Sequence, residues 1–444
     1  MLLGQDAEPW VGGGTERETE RETGGKVLGL EAPGRAGSVG PGGVEEGQDL
    51  LQEEGVADFQ KIEDLESYTF TPFKFEEVPT RGARPHARSG HRVVCSETAI
   101  YSFGGYNPET TGPHRESRFF PLFQELWKLN FATGRWKQLP LRGDCPDKLA
   151  SHCANRYDQY LLVYGGTSVP FGHESSNELL FCDLNSLEWH VFPTQGVHPQ
   201  RMYGQGLVRN GMDVYIIGGT TGHQYCSDVH HLDLKTGTWT SLPFTNYPEP
   251  RYRHEIVFHN NILIVFGGGT NMEAYGLIKL PAYDLQKKNW TVIATQGDVE
   301  CGGMFPAPRR CLSLTHVGQF VYICGGLGSQ YVAYDDLWQL DLTSFRWRRM
   351  PTDLPQSLYF HSADVTPEGK MYVFGGVTGE VFAPERTNSV YSIWLKIPSL
   401  KEMCWEAVLH YAPWLDKVPS QNLVEAGVPQ DLANRVGDFL ADVG

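Results

Sequence analysis

The sequence predicts an all-β fold: a propeller of six blades, closed by a strand from its own N-terminal side and followed by a short α-helical segment. Six apolar runs end in paired glycines, at Gly104-Gly105, Gly165-Gly166, Gly218-Gly219, Gly267-Gly268, Gly325-Gly326 and Gly375-Gly376, spaced 61, 53, 49, 58 and 50 residues apart. In five of these units a residue of a second apolar run stands seven positions before a tryptophan: Leu129 and Trp136, Cys182 and Trp189, Leu232 and Trp239, Tyr283 and Trp290, Leu340 and Trp347. The sixth unit breaks this register, because its second run, residues 390–395, is followed by Pro398 and no tryptophan. A period near fifty with several short strands per unit is the signature of a propeller blade.

The third unit shows the pattern most plainly. Val214-Tyr215-Ile216-Ile217 is a short apolar run bounded by breakers, which reads as a buried strand. Gly218 and Gly219 give the backbone conformations closed to other residues and let a neighbouring strand approach. A second run, His230 to Leu234, and a turn at Lys235-Thr236-Gly237 lead to Trp239. In the sixth unit the outermost strand is missing. An alternating aromatic stretch, Tyr68-Thr69-Phe70 and then Phe73 to Val78, has no other partner and is expected to supply that strand. Closing the ring removes exposed sheet edges.

The 444 residues carry a net charge of −16, unevenly spread. Residues 1–67 hold 16 acidic and 5 basic side chains, leaving −5 for everything after them. A mildly acidic body argues against nucleic acid or an anionic membrane as partner. The head runs through Gly12-Gly13-Gly14, a Thr-Glu-Arg-Glu tract and a Gly/Pro-rich stretch at 33–43, a composition expected to stay disordered. The expected organisation is an acidic tail over 1–67, the propeller over 68–397 and a helical segment over 398–444. Nine cysteines without a Cys-x-x-Cys pair give neither a disulfide framework nor a zinc site. No basic leader with an apolar core and no run of about 20 apolar residues is present, so the expected location is cytoplasmic and nuclear.

The glycine pairs and spaced tryptophans resemble kelch repeats over residues 85–397. In kelch propellers the segments leading into the strand before each glycine-bearing strand converge on the mouth of the central channel. Here they are Arg88-Ser89-Gly90-His91, Leu149-Ala150-Ser151-His152, Arg201-Met202-Tyr203-Gly204, Arg251-Tyr252-Arg253-His254, Arg309-Arg310-Cys311 and Leu358-Tyr359-Phe360-His361. They bring arginines and tyrosines to one rim of an otherwise acidic protein. Guanidinium groups give bidentate hydrogen bonds to a carboxylate or phosphate, and tyrosines flank an extended chain. The first arginine and the histidine of each segment recur and suit repeat packing, with Arg88, Arg201 and Arg251 kept as candidate contacts. Arg253 and Arg310 stand where other units carry smaller or apolar residues and are the candidates for gripping an anion. Tyr203, Tyr252 and Tyr359 are expected along the peptide path. The loops after the glycines, at Thr167-Ser168, Thr220-Thr221 and Thr270-Asn271, offer hydroxyls to the same rim.

Catalysis is not expected, and neither a metal nor a cofactor is. The copper oxidase among kelch folds needs imidazole and phenolate ligands meeting at one metal. Here the histidines fall mostly at repeat positions, and His230 and His231 are adjacent on a strand, facing opposite ways. No Gly-x-Ser-x-Gly elbow, phosphate loop or His-x-x-x-His pair is present.

After the propeller the pattern turns helical. Ser399 and Glu402 match a capping box, and Pro413 ends the helix. Leu400, Cys404 and Val408 recur every fourth residue as one apolar stripe, which packing against the propeller's flank would equally explain. The spacing Ser-Leu-x-x-x-Cys-x-x-x-Val resembles the elongin-binding (BC) box of cullin-RING substrate receptors. That resemblance implies that Leu400 enters a pocket on elongin C, with Cys404 and Val408 in the contact. Val418-Pro419 followed by Leu423 and Val424 fits a cullin-2 box loosely, and no Leu-Pro-x-Pro favours cullin-5.

The combined resemblance implies a non-catalytic substrate receptor of a cullin-2 RING E3 ubiquitin ligase. It would join elongin B/C through the helix and substrates with C-terminal degrons ending in glycine through the rim. A terminal carboxylate is an anion at the tip of an extended chain, and glycine lets the walls approach it. The competing class is a non-ligase scaffold whose rim holds actin or a signalling kinase or phosphatase while the tail merely packs. The chain's own end, Gly444, resembles the expected ligand, so self-association through it is a further expectation.

Overall fold

The computed structural model describes residues 67–243, 245–379 and 383–437; the acidic head and Gly444 lie outside them. Six antiparallel sheets form six blades. Blade 1 comprises Arg92–Cys95, Ala99–Phe103, Leu126–Asn130 and Arg135–Leu139, in that order from the inside outward. Blades 2 to 5 repeat this meander, beginning with Cys153–Tyr157, Gly206–Asn210, Tyr252–His259 and Ser313–Val317. Blades 2 and 3 gain a fifth, parallel strand from the preceding connection, Arg142–Gly143 and Gln195–Gly196. In ring order, the first strand of each blade contacts that of the next, and the strand of blade 6 contacts that of blade 1.

The offset of seven residues has a simple origin. Each tryptophan lies directly across its hairpin from the earlier residue, as Leu129 does from Trp136 and Leu340 from Trp347. All five are buried. They also join the blades: Trp136 packs on Phe374 of blade 6, Trp189 on Phe103 of blade 1, Trp239 on Tyr164 of blade 2, at ring separations of 5.0, 4.8 and 5.5 Å. Those partners stand immediately before the paired glycines.

Blade 6 has only three strands of its own, Ser362–Val365, Lys370–Phe374 and Val390–Trp394, and Glu76–Glu77 completes it from outside. Glu76 pairs with Ser392 and Glu77 with Tyr391. Hydrogen bonds from Phe73 N to Trp394 O and from Val78 N to Val390 O extend the ladder, so the expected strand is present in a shorter form.

The glycine pairs work as contacts between blades. Gly104 and Gly105 have φ of +73° and +109°. A Cβ on Gly104 would lie 2.5 Å from Leu149 O and 2.7 Å from the His152 ring, both of the next blade. The recurrent histidines are structural. His91 and His254 meet the carbonyls of Phe374 and Ile217 at 3.1 and 3.0 Å, each on the preceding blade.

The C-terminal segment forms α1 (Leu400–Tyr411), α2 (Ser420–Glu425) and α3 (Gln430–Gly437). Trp405, Leu423, Leu432 and Val436 make their common core. The segment rests on blades 1 and 6 through Asn130 to Arg435 O at 2.9 Å, Arg135 to Asp416 at 2.7 Å, and the Glu406 carboxylate shared by Lys370 and Trp394. These contacts fall at the starts of second and fourth strands and the ends of third strands, which is the propeller face opposite the paired glycines. Among the described residues, no helix is long and apolar enough to cross a membrane.

Candidate functional site

The mouth of the channel is built on backbone. Six residues, one per blade, have φ between +55° and +66°: Gly90, Ser151, Gly204, Arg253, Cys311 and Phe360. Each donates its N–H to the carbonyl of its counterpart in the preceding blade, from Ser151 to Gly90 around to Gly90 and Phe360, at 2.7 to 3.2 Å. This closes a ring of six hydrogen bonds. Glycine is at ease in that conformation, whereas a side chain there costs on the order of 1–3 kcal/mol. Ser151, Arg253, Cys311 and Phe360 are held at the mouth despite that cost.

The ring fixes which residues correspond. One position earlier stand Ser89, Ala150, Tyr203, Tyr252, Arg310 and Tyr359, each paired with the chain just past its own glycine pair. One position earlier again stand Arg88, Leu149, Met202, Arg251, Arg309 and Leu358, whose carbonyls accept from the second glycine of the preceding blade. Met202, not Arg201, therefore corresponds to Arg88 and Arg251; Arg201 lies one residue outside the pattern and is exposed.

Arg251 is framework. Its guanidinium is buried, donates to Gly267 O at 3.0 Å and Glu249 O at 3.2 Å, and lies 4.6 Å over the Tyr275 ring; burial takes its pKa down to about 10. Arg88 and Arg309 make the same bond to Gly104 O and Gly325 O, each adding a carboxylate, Glu125 or Asp336. Burial depresses the Arg88 pKa, and Glu125 partly restores it. The recurring arginines and histidines thus serve blade packing.

Above the ring an open cavity of about 840 Å³, counting space that merges with solvent, draws its walls from all six blades. Arg253, Arg310, Tyr203, Tyr252 and Tyr359 line it together; Arg201 and Arg251 are not among its lining residues. Arg253 reaches across the mouth, donating from Nη2 to Ser151 Oγ and lying 4.4 Å over the Phe360 ring. Its Nε is buried without a hydrogen-bond partner among the described residues. Arg310 donates to Thr270 O. Tyr252, itself a lining residue, meets the rings of Tyr225 and Tyr203 at 5.3 and 6.5 Å.

Several lining residues escape the sequence reading. Tyr106 and Phe171 pack edge to face at 5.0 Å on the blade 1 and 2 side, and Tyr331 closes the blade 5 side. Beside them, but not itself a lining residue, Arg386 bonds Ser89 Oγ at 3.2 Å and lies 4.9 Å over Tyr106. Tyr106 could have been noticed, because it follows Gly105 as Thr167 follows Gly166. Arg386 comes from the short strand Glu385–Arg386, which pairs with Val377–Thr378 just past the sixth glycine pair. The threonine hydroxyls are engaged locally: Thr167 Oγ1 binds Gly172 N and Glu174 O, and Thr220 Oγ1 binds Gly222 N and Gln224 O. Asn271 alone of those loop residues lines the cavity.

On the opposite face, Ser399 caps α1 and accepts from Glu402 N at 3.4 Å. The Glu402 side chain does not complete the capping box; Arg435 of α3 takes it in a bidentate pair at 2.7 and 2.8 Å. Trp405 turns inward and is buried. The stripe faces outward: Leu400 is 74% exposed, Val408 40%, and Cys404 is an exposed thiol. Packing against the propeller is therefore not what this stripe does. Leu423 is buried in the helical core and Val424 partly so.

Comparison with known proteins agrees with this architecture. The family model described as the KLHDC2/KLHL20/DRC7 Kelch-repeats domain matches residues 53–268 and 244–410. The chain is 42% identical over 371 residues to Kelch domain-containing protein 10 of Xenopus tropicalis, covering 81% of this chain and 89% of the relative. The human protein of that name is also 42% identical, over 370 residues, with 81% and 82% covered. Kelch domain-containing protein 2 of Bos taurus is 27% identical over 374 residues, with 75% and 87% covered. With its paired glycines between blades, its cross-hairpin tryptophans and these matches, the chain belongs to the kelch-repeat β-propeller family.

Proposed function

We propose that this protein is a substrate-recognition subunit of a cullin-2 RING E3 ubiquitin ligase, acting in the cytoplasm and nucleus. Elongin B/C binds α1, and the rim pocket takes the C-terminal degrons of substrates, with glycine at their ends. The observation that carries this reading is the opposition of two unlike surfaces. A cationic, aromatic pocket opens on one face, and an apolar stripe of elongin-box spacing, with Leu400 74% exposed, lies on the other. A receptor needs such a division, because it must hold substrate and ligase at once. The protein supplies no chemistry of its own and positions two partners.

In the pocket, Arg253 and Arg310 supply charge-assisted hydrogen bonds to the terminal carboxylate. Tyr203, Tyr252 and Tyr359 flank the last residues, and a terminal glycine lets the carboxylate come close under them. The test is affinity purification of the tagged full-length chain from cells. Co-purification of elongin B, elongin C and cullin-2, lost on Leu400→Ser with Cys404→Ser, supports the reading. A well-folded chain that captures none of them refutes it, and leaves the scaffold alternative.

A further inference from the structure

The channel is crossed a second time beneath the mouth. Arg92 of blade 1 meets Glu255 of blade 4, the blade opposite, at 2.7 Å, and its Nε donates to His152 O of blade 2 at 3.2 Å. Both side chains are only 17% exposed. Arg92 and Glu255 lie two residues beyond the ring members Gly90 and Arg253, on two of the innermost strands. The ion pair therefore spans the channel one layer below Arg253, which itself crosses towards blades 2 and 6. The three charges share one neighbourhood. The buried Cys153 thiol, pushed up to about 12 by desolvation, is drawn down by Arg92 and Arg253 and raised by Glu255.

We propose that Arg92 is a specificity-determining residue of the rim pocket, acting by sequestering Glu255. Held against the opposite blade, Glu255 is kept from neutralising Arg253. This rests on the reading of the rim as a degron site and says what that site selects: a chain end with a free carboxylate, rather than an amidated one. A carboxylate two residues along the same strand is a permanent intramolecular competitor for the Arg253 guanidinium, at an effective concentration no free ligand matches. Arg92 removes that competitor. Its role is therefore one of positioning and charge, with no contact to the ligand required.

The experiment uses the full-length chain and two pools of decapeptides, randomised except for a final glycine, one pool with free carboxylates and one amidated. Peptides enriched on the wild-type protein are identified, and their affinities are measured on R92Q, R92K, E255Q and the R92Q/E255Q pair, each checked by thermal melting. Leaving Glu255 unpaired, R92Q is expected to weaken free-end binding about tenfold and to shrink the preference over the amidated peptide. R92K keeps the charge and stays near wild type. E255Q binds as well as wild type or better, and the double substitution recovers to within about threefold, because no charge is left to compete. If E255Q and the double variant are as weak as R92Q, the pair is only a brace and the inference falls. A wild-type protein that discriminates ends while R92Q behaves identically also overturns the inference and leaves the degron reading standing. A wild-type protein with no preference for the free carboxylate overturns both.

Discussion

Phe75 stands across from Ile393 at the place that a tryptophan fills in the other five blades. The register of Glu76 with Ser392, continued by one residue, puts Phe75 opposite Ile393, and both are buried in one cluster with Cys324. Cys324 is the small residue before Gly325-Gly326, where four of the other blades carry an aromatic ring. The blade that borrows its outer strand thus borrows its anchor too. Phe75→Ala should lower stability by about 3–5 kcal/mol, as large-to-small core changes do. Deleting residues 68–80 should expose the outer edge of blade 6 and cause aggregation. Chemical denaturation and size-exclusion chromatography check both, and a folded, monomeric truncation would contradict the closure.

Arginines at the rim should separate into two classes. Arg253→Ala and Arg310→Ala should each weaken a free-end peptide on the order of tenfold or more, a charge-assisted hydrogen bond contributing roughly 1.5–3 kcal/mol. Arg251→Ala should instead reduce stability, because it strips a buried donor from Gly267 O. Paired measurements of peptide affinity and melting temperature on the three variants distinguish the classes. Normal binding by both Arg253→Ala and Arg310→Ala would misplace the site.

On the helical face, Leu400→Ser with Cys404→Ser should abolish elongin capture without moving the melting temperature, since both side chains are exposed. Trp405→Ala should unfold the helical segment, because it fills the common core of the three helices. Far-ultraviolet circular dichroism beside the pull-down separates a lost contact from a lost helix. Retained capture by the double variant would return the stripe to a structural role.

The histidines between blades predict acid sensitivity. Burial first of all holds His152, His254 and His361 at about 3, against an ordinary value of 6.5. In the window between those values the unfolded chain binds more protons than the folded one, so stability falls as pH falls. Asp364, raised to about 6 by burial, acts in the opposite sense below that pH but is a single group against three. Melting temperature should be highest near neutrality and drop steadily from about pH 6.5 downward. His254→Gln, copying Gln205 at the corresponding place in blade 3, should flatten that slope.

Blade number, the anchoring tryptophans and the borrowed strand were legible in the sequence, because each is written in residue type at a fixed distance. Leu129 and Trp136 are seven apart since they face each other across a hairpin. The rim was legible in part. Arg253 and Arg310 stood out as departures, and the cavity gathers both. Arg201 falls outside the mouth because correspondence there is set by a left-handed backbone position and its hydrogen bond, which Gly90, Ser151, Arg253 and Phe360 satisfy without any common side chain. Arg386 could not be read, since it faces Val377 across a hairpin whose length differs from blade to blade. The pairing of Glu402 with Arg435 was hidden for a similar reason: a capping box is local, and its competitor lies 33 residues away.

The six-membered backbone ring has a consequence for how such a protein diversifies. Each link is made by peptide groups, so the aperture keeps its diameter whatever side chains stand on it. Ser151 or Phe360 can be exchanged without a neighbour losing its backbone bond, and the new side chain stands at the same cavity. The ring positions at the cavity, Gly90, Ser151, Arg253 and Phe360, form a small alphabet for recognition, in which a single letter can be changed while the word keeps its length.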